Sequence, residues 1–258
     1  GSVDLEKSDN YRVDVYDSVD NTSMYLGLPG INAFHSVVPK TIFDFYDYIG
    51  IERSVGSRPD TKQAALRPLL SVKYLLNRKG GESFLDEDDE PRMTGYEYVK
   101  TSGGYYIYEN NNYVPYGFSY KYYMSFDFCD SYSKSNRTQL MLKAILLDEE
   151  QIEKYGNILT NIETLEEPPY DYETGTTLSL TDESMEYDCD QLKETAAISF
   201  KRDNTGFSAE VRRDNDDLVF FSVPYDEGWT AYVNGEPAEI EKVNVGFMAV
   251  KVGKGTSN

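Results

Sequence analysis

Residues 218–252 hold three β-type runs separated by tight-turn residues, and no other stretch restricts the fold as strongly. Gly228-Trp229 divides the first run from the second, and Asn234-Gly235 divides the second from the third. Asn-Gly supplies the two positive-φ positions of a two-residue hairpin turn, so Trp229 to Val233 and the residues from Pro237 are predicted to pair antiparallel. Alternation puts Trp229, Ala231 and Val233 on one strand face. Trp229 is therefore expected in the core between sheets, with Gly228, Asn234 and Gly235 in turn roles.

The pattern extends outward from that run. From Thr176 onward every element reads as strand, at 176–181, 194–202, 206–213, 217–223, 229–233, 237–242 and 247–252. Turns about ten residues apart are the spacing of a β-sandwich. Residues 253–258 read as a turn into a further strand, so the last strand is expected to be truncated. Gly1-Ser2 reads as an expression scar, and the chain as a soluble piece of a longer protein.

The first part of the chain is mixed. Residues 11–16 alternate with period two and read as a strand. Thr41 and Asp44 are spaced as a capping box for an aromatic helix that Gly50 ends. Residues 61–66 look helical up to Pro68, and 69–76 run from a helix end into a buried strand. A mobile acidic loop is expected from Asn77 to Met93, then a strand pair at 96–99 and 105–108. Leu140, Met141, Ala144, Ile145 and Leu147 share a helical face over 138–147. Asp148 and Gln151 cap another helix, stopped by Gly156. Residues 163–175, with Glu166-Glu167-Pro168-Pro169, mark the domain boundary. The predicted fold class is α+β, with a mixed α/β domain over 1–170 followed by an antiparallel β-sandwich over 176–258.

Charge and composition limit function. A net charge of −20 repels nucleic-acid phosphates and anionic headgroups, so no nucleic-acid partner is expected. Cys129 and Cys189 have no CxxC partner and are expected to be free thiols. No apolar run is long enough to cross a bilayer.

Few residues carry chemistry. His35 is the only histidine; without a Cys or His at ligand spacing it gives neither a metal site nor a nucleophile–base pair. Asn32, Phe34 and Ser36 beside it leave a polar pocket open as a second reading. Asn110, Asn112 and Tyr113 offer amides and a ring suited to sugar hydroxyls, although a turn after a strand accounts for them better. The run 86–90 lacks the central Gly and the flanking helices of a calcium loop. No catalytic residue, metal site or cofactor is assigned.

A resemblance adds what the residues alone do not. Residues 69–74 (Leu-Leu-Ser-Val-Lys-Tyr), Tyr108-Glu109-Asn110 followed by Val114-Pro115, and Pro224 to Trp229 followed by Val233-Asn234-Gly235 resemble the YfhO family of bacterial polytopic membrane proteins. Tyr11-Arg12-Val13, Asn21-Thr22-Ser23 and Phe34-His35-Ser36 are similar to that family's extracellular region. The resemblance implies kinship with GT-C-like membrane glycosyltransferases, which take sugar from a polyprenyl-phosphate carrier and decorate envelope polymers such as lipoteichoic acid. It implies a non-catalytic domain on the extracytoplasmic face of the bacterial membrane, partnered by parent membrane helices and in contact with envelope glycan or polyprenyl-linked sugar. Two other classes stay open beside it: a surface carbohydrate-binding module and a soluble glycoside hydrolase.

Overall fold

The computed structural model describes residues 2–31, 33–34, 39–52, 56–57, 59–165 and 178–258, with the backbone alone at 33–34 and 56–57. In chain order the first part gives β1 (Arg12–Tyr16), α1 (Thr22–Tyr25), β2 (Ala33–Phe34), α2 (Lys40–Tyr48) and β3 (Gly56–Ser57). α3 (Leu66–Leu69), β4 (Val72–Arg78), β5 (Tyr96–Ser102) and β6 (Tyr105–Asn110) follow. β1 pairs parallel with β4, and β4, β6 and β5 continue the sheet antiparallel. Period two sends neighbouring side chains to opposite faces. Leu76 and Ile107 thus pack with Tyr11, Val13 and Leu28 on one face, while Leu75 and Tyr108 pack with Phe84, Met93 and Tyr96 on the other. Phe84 and Met93 are both buried, which anchors the acidic loop at each end.

The middle of the chain gives β7 (Phe118–Ser119), β8 (Tyr122–Ser125), α4 (Phe126–Asp130), α5 (Arg137–Lys143), β9 (Ile145–Leu147), α6 (Glu149–Tyr155) and β10 (Thr160–Asn161). β10, β8 and β9 form a small parallel sheet. The helix expected over 138–147 is shorter than predicted. It ends at Lys143, Ala144 turns extended, and 145–147 form a strand beside 123–125. Residues 144–147 are all buried, and a short apolar run buried on every side carries no period that separates helix from strand. Asp148 and Gln151 do form the predicted capping box.

The last part gives α7 (Asp182–Glu194), β11 (Ser199–Arg202), β12 (Phe207–Arg213), β13 (Asp217–Pro224), β14 (Ala231–Val233), β15 (Glu236–Ala238), β16 (Ile240–Val243), β17 (Phe247–Val252) and β18 (Gly255–Ser257). Two corrections apply here and one in α2. Among the described residues 178–181 carry no strand, and α7 stands where only strands were expected. Thr181 caps α7 through its side chain, and Met185, Cys189 and Leu192 are its buried apolar face. That i, i+4, i+7 spacing was readable, but it sits in an acidic run. The turn at 253–254 leads into β18, which pairs with Val211–Arg213. In α2 the Thr41–Asp44 box does not form: the helix starts at Lys40, Asp44 pairs with Lys40, and the Thr41 hydroxyl donates to the Tyr225 carbonyl at 2.9 Å. The boundary placed at 163–175 falls largely outside the described residues.

Two sheets face each other in the last part, β16-β17-β13-β7 and β11-β12-β18. The first sheet is covered on both sides, which explains the unbroken apolar run of β13. Leu218 and Phe220 join the largest apolar cluster, with Phe45, Leu66, Leu140, Phe118 and Phe247. Val219 and Phe221 point the other way, to Phe200, Val211, Val252 and Tyr116. The largest cluster thus combines side chains from before and after the 166–177 stretch. Arg12 ties the β1-β4-β6-β5 sheet to β13, donating to Ser222 O at 2.8 Å, and also donates to Leu70 O at 2.8 Å, with its guanidinium over the Tyr116 ring.

Candidate functional site

The structure brings together Asn110, Asn112 and Tyr113 at the end of β6, and it uses their side chains to hold the turn. Asn110 donates through Nδ2 to Val72 O at 3.0 Å, and its Oδ1 accepts from the Asn112 amide at 3.0 Å. Asn112 is buried against Gly95, whose φ of 78° and lack of a Cβ allow the approach. The Tyr113 hydroxyl donates to Asn10 O, and burial raises its pKa above the ordinary tyrosine value. Asn110 and Tyr113 border a shallow depression of about 410 Å³, with Lys73, Glu109, Asn111 and Lys193. Asn112 stays outside it. His35, with Asn32 and Ser36, lies outside the described residues, as does the side chain of Phe34.

Buried ionisable groups are paired across elements. Arg67 of α3 and Asp14 of β1 meet at 2.9 Å with both side chains fully buried. Lys143 of α5 and Asp188 of α7 meet at 2.7 Å, also fully buried. Burial lowers the Lys143 pKa, with the Asp188 charge opposing. On β16, Glu241 accepts from Gln151, Lys154 and Tyr155 of α6. Burial pushes the Glu241 carboxyl up, but these three donors outweigh it and hold it below the ordinary value. Each contact joins two elements. Cys129 and Cys189 are free and buried, and burial raises both thiols, which suppresses the reactive thiolate.

Among the described residues no cluster of three or more His, Cys, Asp or Glu side chains is placed to hold a metal ion. In the acidic loop, Asp86 Oδ1 accepts from the amides of Asp88 and Glu90 at 2.9 and 3.0 Å, so that carboxylate closes its own turn.

A groove of about 870 Å³ lies between the two sheets of the last part. β13 and β17 form its floor, through Val219, Phe221, Met248, Val250 and Val252. Phe207, Ala209 and Val211 of β12 line one wall; Trp229, Ala231 and Val233 line the other. Trp229, expected in the core between the sheets, is instead half-buried at the rim, just before β14, because the turn at 226–229 keeps it at the groove mouth with its ring 5.8 Å from that of Phe207. A side-chain bond from the Gly228 amide to Asp226 at 2.8 Å sets the turn before it. Asn234 and Gly235, at φ 53° and 87°, make the hairpin turn of β14 and β15. The floor was legible as every second residue of β13 and β17. That β12 and the Trp229–Val233 segment wall this floor was not, because that depends on packing between strands far apart in the chain.

No helix of the described residues is long and apolar enough to cross a membrane. Neither a curated protein nor a solved structure matches the chain. A family model described as bacterial membrane protein YfhO matches residues 2–165 and 157–258, in line with the short motifs at 69–74, 108–115 and 224–235. With that match spanning both parts of the fold, the chain belongs to the YfhO family of bacterial membrane proteins.

Proposed function

We propose that this chain is the extracytoplasmic, non-catalytic domain of a GT-C-like membrane glycosyltransferase that decorates envelope polymers. Its role is to guide the acceptor polymer towards the membrane-embedded site or to gate that site. The observation that carries the reading is the family match over both parts of the chain, in a fold whose described helices are too short to span a bilayer. The buried acids support it. Asp14, Asp188 and Glu241 are each held by a cation from another element, so they stabilise packing rather than face one another across a cleft.

An exposed apolar segment around α1 also fits a domain resting against membrane-embedded parts. Val19, Met24 and Tyr25 are 67%, 58% and 83% exposed. The test is transfer of radiolabelled sugar from a polyprenyl-phosphate donor to lipoteichoic acid. The whole membrane protein is expected to transfer, the same protein without this domain to transfer poorly, and the isolated chain not at all. Turnover by the isolated chain would overturn the non-catalytic assignment.

A further inference from the structure

The β5–β6 hairpin carries tyrosines on the sheet face where Phe84 and Met93 pack, and that cover stops short of Tyr98. Cross-strand pairing sets Tyr98 opposite Tyr108 and Thr101 opposite Tyr106. Strict alternation from Tyr98 would bring Lys100 to this face, but a bulge between Tyr98 and Lys100 brings Thr101 there instead. The Tyr98 hydroxyl and Thr101 Oγ1 share a hydrogen bond at 2.8 Å. The Tyr98 ring lies 5.8 Å from that of Tyr108 and 6.4 Å from that of Tyr106, steeply inclined to both at 71° and 65°. Two ring contacts and a tied hydroxyl thus fix a side chain that is 56% exposed.

Polar groups of both senses stand around it. Lys79 Nζ lies over the Tyr106 ring, 5.9 Å from its centre. The Tyr108 pKa is raised first by burial, then by Tyr106 and Tyr98, then by the Asp89 and Glu90 carboxylates. Those two exposed acids therefore stand within electrostatic reach of the same rings.

We propose that Tyr98 is the stacking platform of a binding site for a neutral pyranose glycan. The flat apolar face of one sugar ring covers the Tyr98 ring, while its hydroxyls accept from Lys79 and donate to Asp89 and Glu90. Sheet stability asks only for the cross-strand contact of Tyr98 with Tyr108. The bulge and the Thr101 bond add a fixed orientation to an exposed ring, which lowers the ordering cost of a stacked ligand. An acyl chain would strip water from Lys79 and the two acids and return nothing to them. A phosphate polymer would meet those acids on a chain of net charge −20. Neutral hydroxyls satisfy the cation and the carboxylates alike.

The test is calorimetric titration of the full chain with maltohexaose, cellohexaose and chitohexaose, and with a sugar-free glycerol-phosphate oligomer. Saturable binding of at least one hexasaccharide is expected, with a Kd of about 1 mM or tighter. Tyr98→Ala is expected to weaken it roughly tenfold or more with an unchanged far-UV spectrum. Thr101→Val keeps the ring and frees its hydroxyl, for an expected loss of roughly two- to tenfold. Tyr232→Ala, which removes a tyrosine 60% exposed in the last part of the fold, is expected to leave binding unchanged. The proposal is overturned if no hexasaccharide binds saturably or if Tyr98→Ala binds as tightly as the parent chain. It is overturned equally if the glycerol-phosphate oligomer binds as tightly as the best hexasaccharide. The inference goes beyond the glycosyl-transfer reading: the titration uses neither donor nor membrane, so either can fail and leave the other standing.

Discussion

Replacing Asp14 by Asn tests the account of the buried ion pairs. Arg67 uses all five of its N–H donors: Nε to Asp14 at 2.9 Å, Nη1 to the carbonyls of Asp60 and Gln63 at 2.6 and 3.0 Å, and Nη2 to the Tyr16 hydroxyl and Pro59 O, both at 2.7 Å. Only Asp14 among these partners carries the opposite charge. Asp14→Asn keeps the size and leaves a full positive charge in a site with no solvent exposure. Breaking a buried pair in this way costs about 3–5 kcal/mol, against a total stability of about 5–15 kcal/mol for a folded domain. Arg67→Met is expected to cost as much, because it leaves the buried Asp14 carboxylate without its cation. Lys100→Met is the control, since its partner Asp4 is 87% exposed and surface pairs contribute below about 1 kcal/mol. The assay is urea unfolding followed by circular dichroism, with free energies from midpoint and slope. An Asp14→Asn loss within about 1 kcal/mol of the control would refute the reasoning.

Alkali is expected to destabilise the chain through its buried tyrosines. Tyr11 and Tyr155 are each raised from 10.0 to about 12, and Tyr96 and Tyr120 are raised further, desolvation being the largest cause throughout. Above pH 10.0 the unfolded chain loses protons that these folded tyrosines keep, so stability is complete below that pH and falls towards about 12; an unfolding midpoint that stays flat across that window would contradict this. Gly246→Ala places a Cβ 2.4 Å from the Thr41 carbonyl and 3.2 Å from the Phe45 Cβ, with an expected loss of about 1–3 kcal/mol in thermal melts. Because Phe45, Leu140, Phe220 and Phe247 share one apolar cluster, circular dichroism and Trp229 emission should report a single coincident transition. Two separated transitions would count against it.

Local signals were well read where the side-chain pattern alone decides. The Asn234-Gly235 hairpin, the Asp148–Gln151 box and Gly50 after α2 depend on a few adjacent residues, and all appear as expected. Thr41 went another way because a distant carbonyl, that of Tyr225, took its hydroxyl. α7 escaped notice because its stripe of Met185, Cys189 and Leu192 is narrow, and its buried Asp188 finds its cation in Lys143, 45 residues away. The same holds for the candidate site. The apolar floor of the groove is written in the alternation of β13 and β17, whereas the β12 residues that wall it are brought there by packing between strands far apart in the chain.

The measurement that bears most directly on the central claim is the side of the membrane on which this domain stands. Tyr232 is 60% exposed, while Cys129 and Cys189 are fully buried, so Tyr232→Cys adds one accessible thiol to this domain, read against the unsubstituted protein. The variant is made in the whole membrane protein, and intact cells are treated with a membrane-impermeant maleimide. Labelling of intact cells is the predicted result. Labelling only after the membrane is permeabilised would place the domain in the cytoplasm and contradict the account.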